Sequence, residues 1–191
     1  MARLLFATPE AWTETVLSDF GAFLQDHAAN ERKAAQSALV MAAQHPRHIA
    51  IVDAMIGVAE DELAHFRQVW GFLRARDLPL PSDAPDPYMQ RFMKHLRRDD
   101  HDLYLLDRLL AFGLVEARGC DRFACLAAAL PAGDLRDFYS ELVASEARHH
   151  GLFVRLAKEH FDAAAVEERL DELVRVEAEV AKSLPLRAAL H

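Results

Sequence analysis

Eight prolines stand at positions 9, 46, 79, 81, 85, 87, 131 and 185, and long stretches without any run between them. Proline lacks a backbone donor and clashes with the preceding turn, so a helix interior excludes it. The proline-free stretches are filled with Ala, Leu, Glu, Arg and Phe and show no sustained two-residue alternation, which argues for helices and against strands. The chain reads as all-α. Thr8 as an N-cap with Pro9 at the first helical position opens a short helix that leads into a longer one near 18–44, and "HPR" at 45–47 ends it. Further long helices are expected over 47–76, 101–130 and 134–160. A fifth, over 163–183, is rich enough in Glu and Arg to lie on the outside. The stretch "LPLPSDAPDP" at 78–87 forces an extended crossover, followed by a short basic amphipathic piece over 88–97. Four long helices with one long connection and extra short helices at either end make a four-helix bundle, read as one domain over 1–191.

The formal charge of −8 means that the chain as a whole repels nucleic acid and anionic membrane surfaces, so an RNA partner needs a local basic patch. The best one is "RFMKHLRR", where Arg91, Lys94, His95 and Arg98 fall on neighbouring faces of one short helix. The two cysteines, Cys120 and Cys125, point to different sides of a helix, which reads as two reduced thiols in a cytoplasmic protein. No apolar run is long enough for a membrane span, and the one at the N-terminus is too short for a signal peptide.

Acidic residues on a surface helix avoid its apolar stripe. Here they do not. The stripe of the first long helix reads Phe20, Leu24, His27, Glu31, Ala35, Ala38, Met41, and that of the second Ile51, Met55, Val58, Glu62, His65, Val69, Leu73. The third reads Leu106, Leu109, Gly113, Glu116, Cys120, Phe123, and the fourth Leu135, Tyr139, Leu142, Glu146, His149, Phe153. Each long helix therefore carries one inward Glu, and two carry Glu-x-x-His. Glu31 and Glu62 are 31 residues apart, Glu116 and Glu146 are 30, and the halves are offset by 85 and 84, as an internally duplicated helix pair requires.

Four buried carboxylates without partners cost many kcal/mol by desolvation and mutual repulsion. Two divalent cations balance their charge with both imidazoles neutral. One Glu from each of two helices with Glu-x-x-His from each of the other two is the donor set of di-iron and di-manganese carboxylate bundles. Carboxylate-rich sites with one imidazole per ion favour iron or manganese over structural zinc, and iron is preferred. Asp61 precedes Glu62 and Arg148 precedes His149, so each half keeps part of the Asp-Glu-x-Arg-His pattern of oxygen-activating di-iron enzymes. Both are read as residues supporting the ligands from behind. His27 is read as a hydrogen-bonded core histidine, His150 is set aside because it points about 100° away from His149, and Gly113 and Gly119 are read as allowing close helix packing.

The phrases "LLFATPEAW", "DHAANERKAA", "DELAHF", "GLVEARGCDRF" and "YSELVASEARHHGLF" resemble the tRNA 2-methylthio-N6-isopentenyladenosine hydroxylases over essentially the whole chain. That resemblance implies a ferritin-like bundle holding two iron ions on Glu31, Glu62, His65, Glu116, Glu146 and His149. It implies hydroxylation of the isopentenyl group of a modified adenosine in tRNA, with O2 as co-substrate and electrons from an external reductase. Glu116 is the expected catalytic ligand beside the oxygen pocket, and Arg91, Lys94 and Arg98 are the expected tRNA contacts. A ferritin-like or bacterioferritin-like ferroxidase, or another di-metal carboxylate oxidase or peroxidase, shares the ligand set and stays open.

Overall fold

A computed structural model describes residues 4–82 and 84–191. Among these residues every regular element is helical. The helices are α1 (Glu10–Ser18), α2 (Phe20–Gln44), α3 (Ile49–Arg74), α4 (Pro87–Phe92), α5 (His101–Ala129), α6 (Asp134–His160) and α7 (Ala163–Ser183), with a 3-10 turn at Met93–His95. None of them is long and apolar enough to cross a membrane.

Aspartates start most of the helices. Asp19 accepts the Ala22 N–H at the head of α2, Asp86 caps α4, Asp100 caps α5 and Asp162 caps α7. Each such cap is worth about 0.5–2 kcal/mol, because it satisfies donors that the helix cannot. Thr8 behaves differently from the expected N-cap: its hydroxyl donates to Asp121 Oδ2 at 2.6 Å, and its N–H goes to the same oxygen at 2.9 Å. The break before α6 depends on Gly133, whose φ of 145° is open only to glycine.

The chain divides into two compact units, one of residues 14–84 with 187–190, the other of residues 1–13 with 85–186 and 191. In the first, α2 and α3 are joined by the short turn at 45–48 and pack against each other. Phe23, Leu24 and Met41 of α2 and Ile51, Met55, Val69 and Leu73 of α3 are completely buried. Each such side chain contributes about 1.5–3 kcal/mol through removal from water. The crossover is tied back to α2 by hydrogen bonds from Gln25 to the Pro79 carbonyl and from Lys33 to the Ala84 carbonyl.

In the second unit α5 and α6 form the equivalent pair, burying Leu109, Leu110, Leu114, Phe123, Tyr139 and Phe153. α7 packs on α5 and on α4. It is not the wholly outer helix that its charge suggests, since Val166, Leu173, Glu177 and Ala181 are buried on one face. Glu177 is fully enclosed: Arg118 grips it with two hydrogen bonds, from Nε at 2.8 Å and Nη2 at 2.9 Å, and the Tyr88 hydroxyl donates at 3.0 Å. That triad joins α4, α5 and α7. Asp107 does similar work nearby, accepting from Arg97 and Arg169.

Candidate metal centre

Each helix pair builds its own cluster of acids and imidazole. On α2, His27 and Glu31 are buried one turn apart and share a 2.5 Å hydrogen bond. On α3, Glu62 and His65 lie three residues apart, which puts them on one face. His65 Nδ1 sits 3.4 Å from Glu62 Oε2 and 3.6 Å from Glu31 Oε2. One donor atom from each of Glu31, Glu62 and His65 falls within 4.8 Å of the other two.

The α5–α6 pair repeats the pattern. His149 Nδ1 is 3.8 Å from Glu116 Oε2 on α5 and 3.8 Å from Glu146 Oε2 on α6. Here too the three donor atoms lie within 4.8 Å of one another. Glu116 is the most accessible of the four acids, with 12% of its side chain exposed against 5%, 2% and 4% for Glu31, Glu62 and Glu146.

The electrostatics of the first cluster are those of a site built for a cation. Burial, reinforced by the charge of Glu62, pushes the Glu31 carboxyl well above the usual range. Burial also works to lower the His65 imidazole, but the carboxylates of Glu31 and Glu62 outweigh it and hold the ring up at about 9. Two carboxylates thus face one imidazole in each half, and a proton is a poor substitute for a divalent ion there. Hard carboxylate oxygens with a single nitrogen suit iron or manganese. Glu177 provides the contrast within the same molecule: it is equally buried, yet its charge is met by a guanidinium in bidentate geometry.

The expected supporting residues lie farther out. Asp61 and Arg148 are exposed on their helices, and Arg148 Nη2 donates to Ser145 Oγ at 3.2 Å, a buried hydroxyl next to Glu146. His150, set aside from the sequence, bonds through Nδ1 to the Gly113 carbonyl at 2.7 Å and so links α6 to α5 one turn before Glu116. Gly113 is needed for close approach, because a Cβ there would stand 3.2 Å from Phe153 Cβ.

The basic segment is split by the local fold. α4 stops at Phe92 and the chain is extended by Leu96, so Arg98 does not continue the helical face. Arg91, Lys94 and His95 line an open groove with Arg175 and Ser183 of α7, where Arg91 Nη1 reaches Ser183 Oγ at 3.0 Å. Arg98 instead donates to the Met93 carbonyl and lies over the Tyr104 ring. Arg175 was not singled out in sequence, since a lone Arg in a charged helix carries no signal. Glu177 did carry one: it interrupts the apolar row Val166, Leu173, Val180 just as Glu31 interrupts its own.

A model of the family described as tRNA-(MS2IO6A)-hydroxylase (MiaE) matches residues 1–191. The chain belongs to the MiaE family. A similar MiaE-type protein is the tRNA 2-(methylsulfanyl)-N(6)-isopentenyladenosine(37) hydroxylase of Pseudomonas putida, 36% identical over 168 residues, which are 88% of this chain and 80% of that one. The hydroxylase of the same name from Salmonella typhimurium is 35% identical over 130 residues, covering 68% of this chain and 47% of that longer protein. Among solved structures, a Synechococcus protein described as having aldehyde deformylating oxygenase activity matches with a TM-score of 0.93 and 32% identity, over 100% of this chain and 96% of its own. With seven helices and no strand among the described residues, this MiaE chain has the all-α, ferritin-like fold.

Proposed function

We propose that the protein hydroxylates the isopentenyl group of 2-methylthio-N6-isopentenyladenosine at position 37 of tRNA, in the cytoplasm, with two resident iron ions. The observation that carries this reading is the duplicated donor set: two carboxylates and one imidazole, close together and mostly buried, in each of two helix pairs. Glu31, Glu62 and His65 would supply one half of the ligands and Glu116, Glu146 and His149 the other. Bound iron supplies the two-electron chemistry that reduces O2 and inserts one oxygen atom into a C–H bond. The substrate, O2, two electrons and two protons then give the alcohol and water, and the electrons come from an external reductase.

The chain's own residues prepare that step. His27 holds one oxygen of Glu31 and so fixes which oxygen is left to the metal. Glu116 is the acid donor most open to solvent, which supports reading it as the one that meets the arriving side chain. The groove residues Arg91 and Lys94, joined by Arg175, supply phosphate contacts on a chain that is otherwise acidic.

The test is mass analysis of nucleosides from tRNA carrying the prenylated adenosine, incubated with iron-loaded protein, a reductant and labelled O2. The prenylated nucleoside should gain one labelled oxygen atom. Label arriving from water instead would overturn the reading. Glu116→Ala should lose most of the product while keeping its affinity for tRNA. A second reading, oxygenation of an aldehyde, is favoured by the Synechococcus protein alone. Deformylation of an aldehyde, with no change in the tRNA, would select it.

A further inference from the structure

From Leu105 to Cys120, α5 is buried except at three positions: Phe112, Val115 and Glu116. Two of the three are apolar, and on the helix they adjoin Glu116, the carboxylate that the proposed function assigns to the metal. At about 100° per residue, Tyr104, Arg108, Phe112, Val115 and Glu116 share one strip of the helix within about 120° of arc. The strip is structured along its length. The Arg108 guanidinium is buried and lies 5.7 Å from the Tyr104 ring centre and 5.6 Å from that of Phe112. Arg98 lies 5.5 Å from the Tyr104 ring centre at the outer end, and Phe112 meets Phe153 edge-to-face at 5.9 Å near the inner end. Arg98 also touches the Met93 carbonyl, which places the outer end beside the turn that carries Lys94.

We propose that this strip is the substrate track, on which Phe112 and Val115 contact the isopentenyl group and determine specificity for it. Arg98 engages phosphate at the outer end, and Arg108 is a positioning residue that fixes the Tyr104 and Phe112 rings. The inference rests on the reading that Glu116 belongs to the metal centre.

Lengths agree with this division. At ~1.5 Å per residue, Phe112 lies about 6 Å along the axis from Glu116, Arg108 about 12 Å and Tyr104 about 18 Å. A five-carbon prenyl chain spans roughly one helical turn of about 5.4 Å, so its end reaches Glu116 while its base-proximal end is level with Phe112. The purine then lies between Phe112 and Arg108, and the sugar-phosphate falls toward Tyr104 and Arg98. A purely structural aromatic stripe would be covered as the rest of this helix is. Here Phe112 and Val115 are half-exposed beside Glu116, where an apolar ligand would have to pass.

The experiment compares binding of two tRNAs that differ only in the prenyl group on the target adenosine. The iron-loaded wild type should prefer the prenylated tRNA by on the order of 10- to 100-fold, the range expected for enclosing a few methylene-sized groups. Val115→Phe, which fills the opening, should bring that ratio close to one without changing affinity for the unprenylated tRNA. Phe112→Ala should lower the ratio as well. Val115→Ala removes two methyl contacts without adding bulk, and it should lower the preference by less than Val115→Phe does. Arg98→Ala should weaken both tRNAs by the same factor, because phosphate contacts do not read the base.

A wild type that binds both tRNAs equally would overturn the track, as would folded Val115→Phe and Phe112→Ala variants that retain the full preference. Binding is read here without turnover. Loss of preference in the variants supports the track even if the wild type yields no hydroxylated nucleoside, a result that would refute only the hydroxylase reading.

Discussion

Two inward glutamates of this protein, Glu177 and Glu62, are buried alike but should answer the same substitution in opposite ways. Glu177→Gln removes the only charge gripped by both Nε and Nη2 of Arg118, a side chain with no exposed surface. An uncompensated buried guanidinium costs about 3–5 kcal/mol; allowing for the amide oxygen that remains and for Asp121, which still accepts from Arg118 Nη1 at 3.1 Å, we expect a loss at the low end, about 3 kcal/mol. For a chain of this size that lowers Tm by roughly 6–12 °C, at about 2–4 °C per kcal/mol. Iron content should not change, because Glu177 is paired with Tyr88 and Arg118 and belongs to neither cluster of donor residues. The double variant Glu177→Leu with Arg118→Met should recover part of the loss, since an apolar pair of similar volume avoids the desolvation penalty while the buried Tyr88 hydroxyl still loses its acceptor. Glu62→Gln, by contrast, relieves the charge that helps to push the Glu31 carboxyl up. The metal-free protein should keep its stability to within about 1 kcal/mol, while bound iron falls below two per chain. Thermal unfolding of metal-free samples, with iron quantified in parallel, reads both arms. A Glu177→Gln variant less than 1 kcal/mol weaker than wild type, or one that loses iron, would refute the reasoning.

Asp86 is held down at about 2 although burial works to raise it, through His191 and the N–H groups of Met89 and Tyr88. An unfolded Asp titrates near 3.9, so this stabilisation, roughly 2 kcal/mol, is complete above about pH 5 and disappears as pH falls from about 4 to about 2. Asp86→Asn should flatten that part of the pH dependence in urea unfolding. Gly113→Ala should cost about 1 kcal/mol, because overpacking against Phe153 Cβ at 3.2 Å, worth ~1–3 kcal/mol, exceeds the ~1 kcal/mol gained in helix propensity. Gly119→Ala, whose nearest contacts would be 3.7–3.8 Å, should be neutral or stabilising in the same melting assay. Reversing Arg91, Lys94 and Arg175 to Glu should weaken tRNA binding and reduce its salt slope by roughly 0.7–0.9 per lost phosphate contact. Unchanged affinity at low salt would move the RNA surface elsewhere.

The helices were legible because their signals are local: proline punctuation, helix-favouring composition and an apolar stripe every three to four residues. Observed boundaries for α6 and α7 coincide with the expected 134–160 and 163–183, and α5 ends one residue short of 130. The half-sites were legible because an acid on an apolar stripe is costly enough to demand a reason. That rule says only that a partner exists, not which one. Glu177 obeys it and is paired with Arg118, which lies 59 residues away and which no periodicity connects to it. The split of the basic segment was illegible for a related reason. Met93–His95 tightens into a 3-10 turn and Leu96 extends, so Arg98 leaves the face that a continuous helix would have given it. The groove partner Arg175 and the ring-stacked Arg108 depend on contacts distant in sequence or on burial, and neither is written in spacing.

The central claim is that two clusters of two carboxylates and one imidazole together hold two iron ions. The most direct measurement is the number of ferrous ions bound per chain by metal-free protein, for the wild type and for His65→Ala and His149→Ala. Each variant removes one nitrogen donor from one cluster while leaving the buried helix contacts intact. The account predicts two ions per chain in the wild type and fewer than two in each variant, with far-ultraviolet dichroism still strongly helical. Two tightly bound ions per chain in both variants would contradict it.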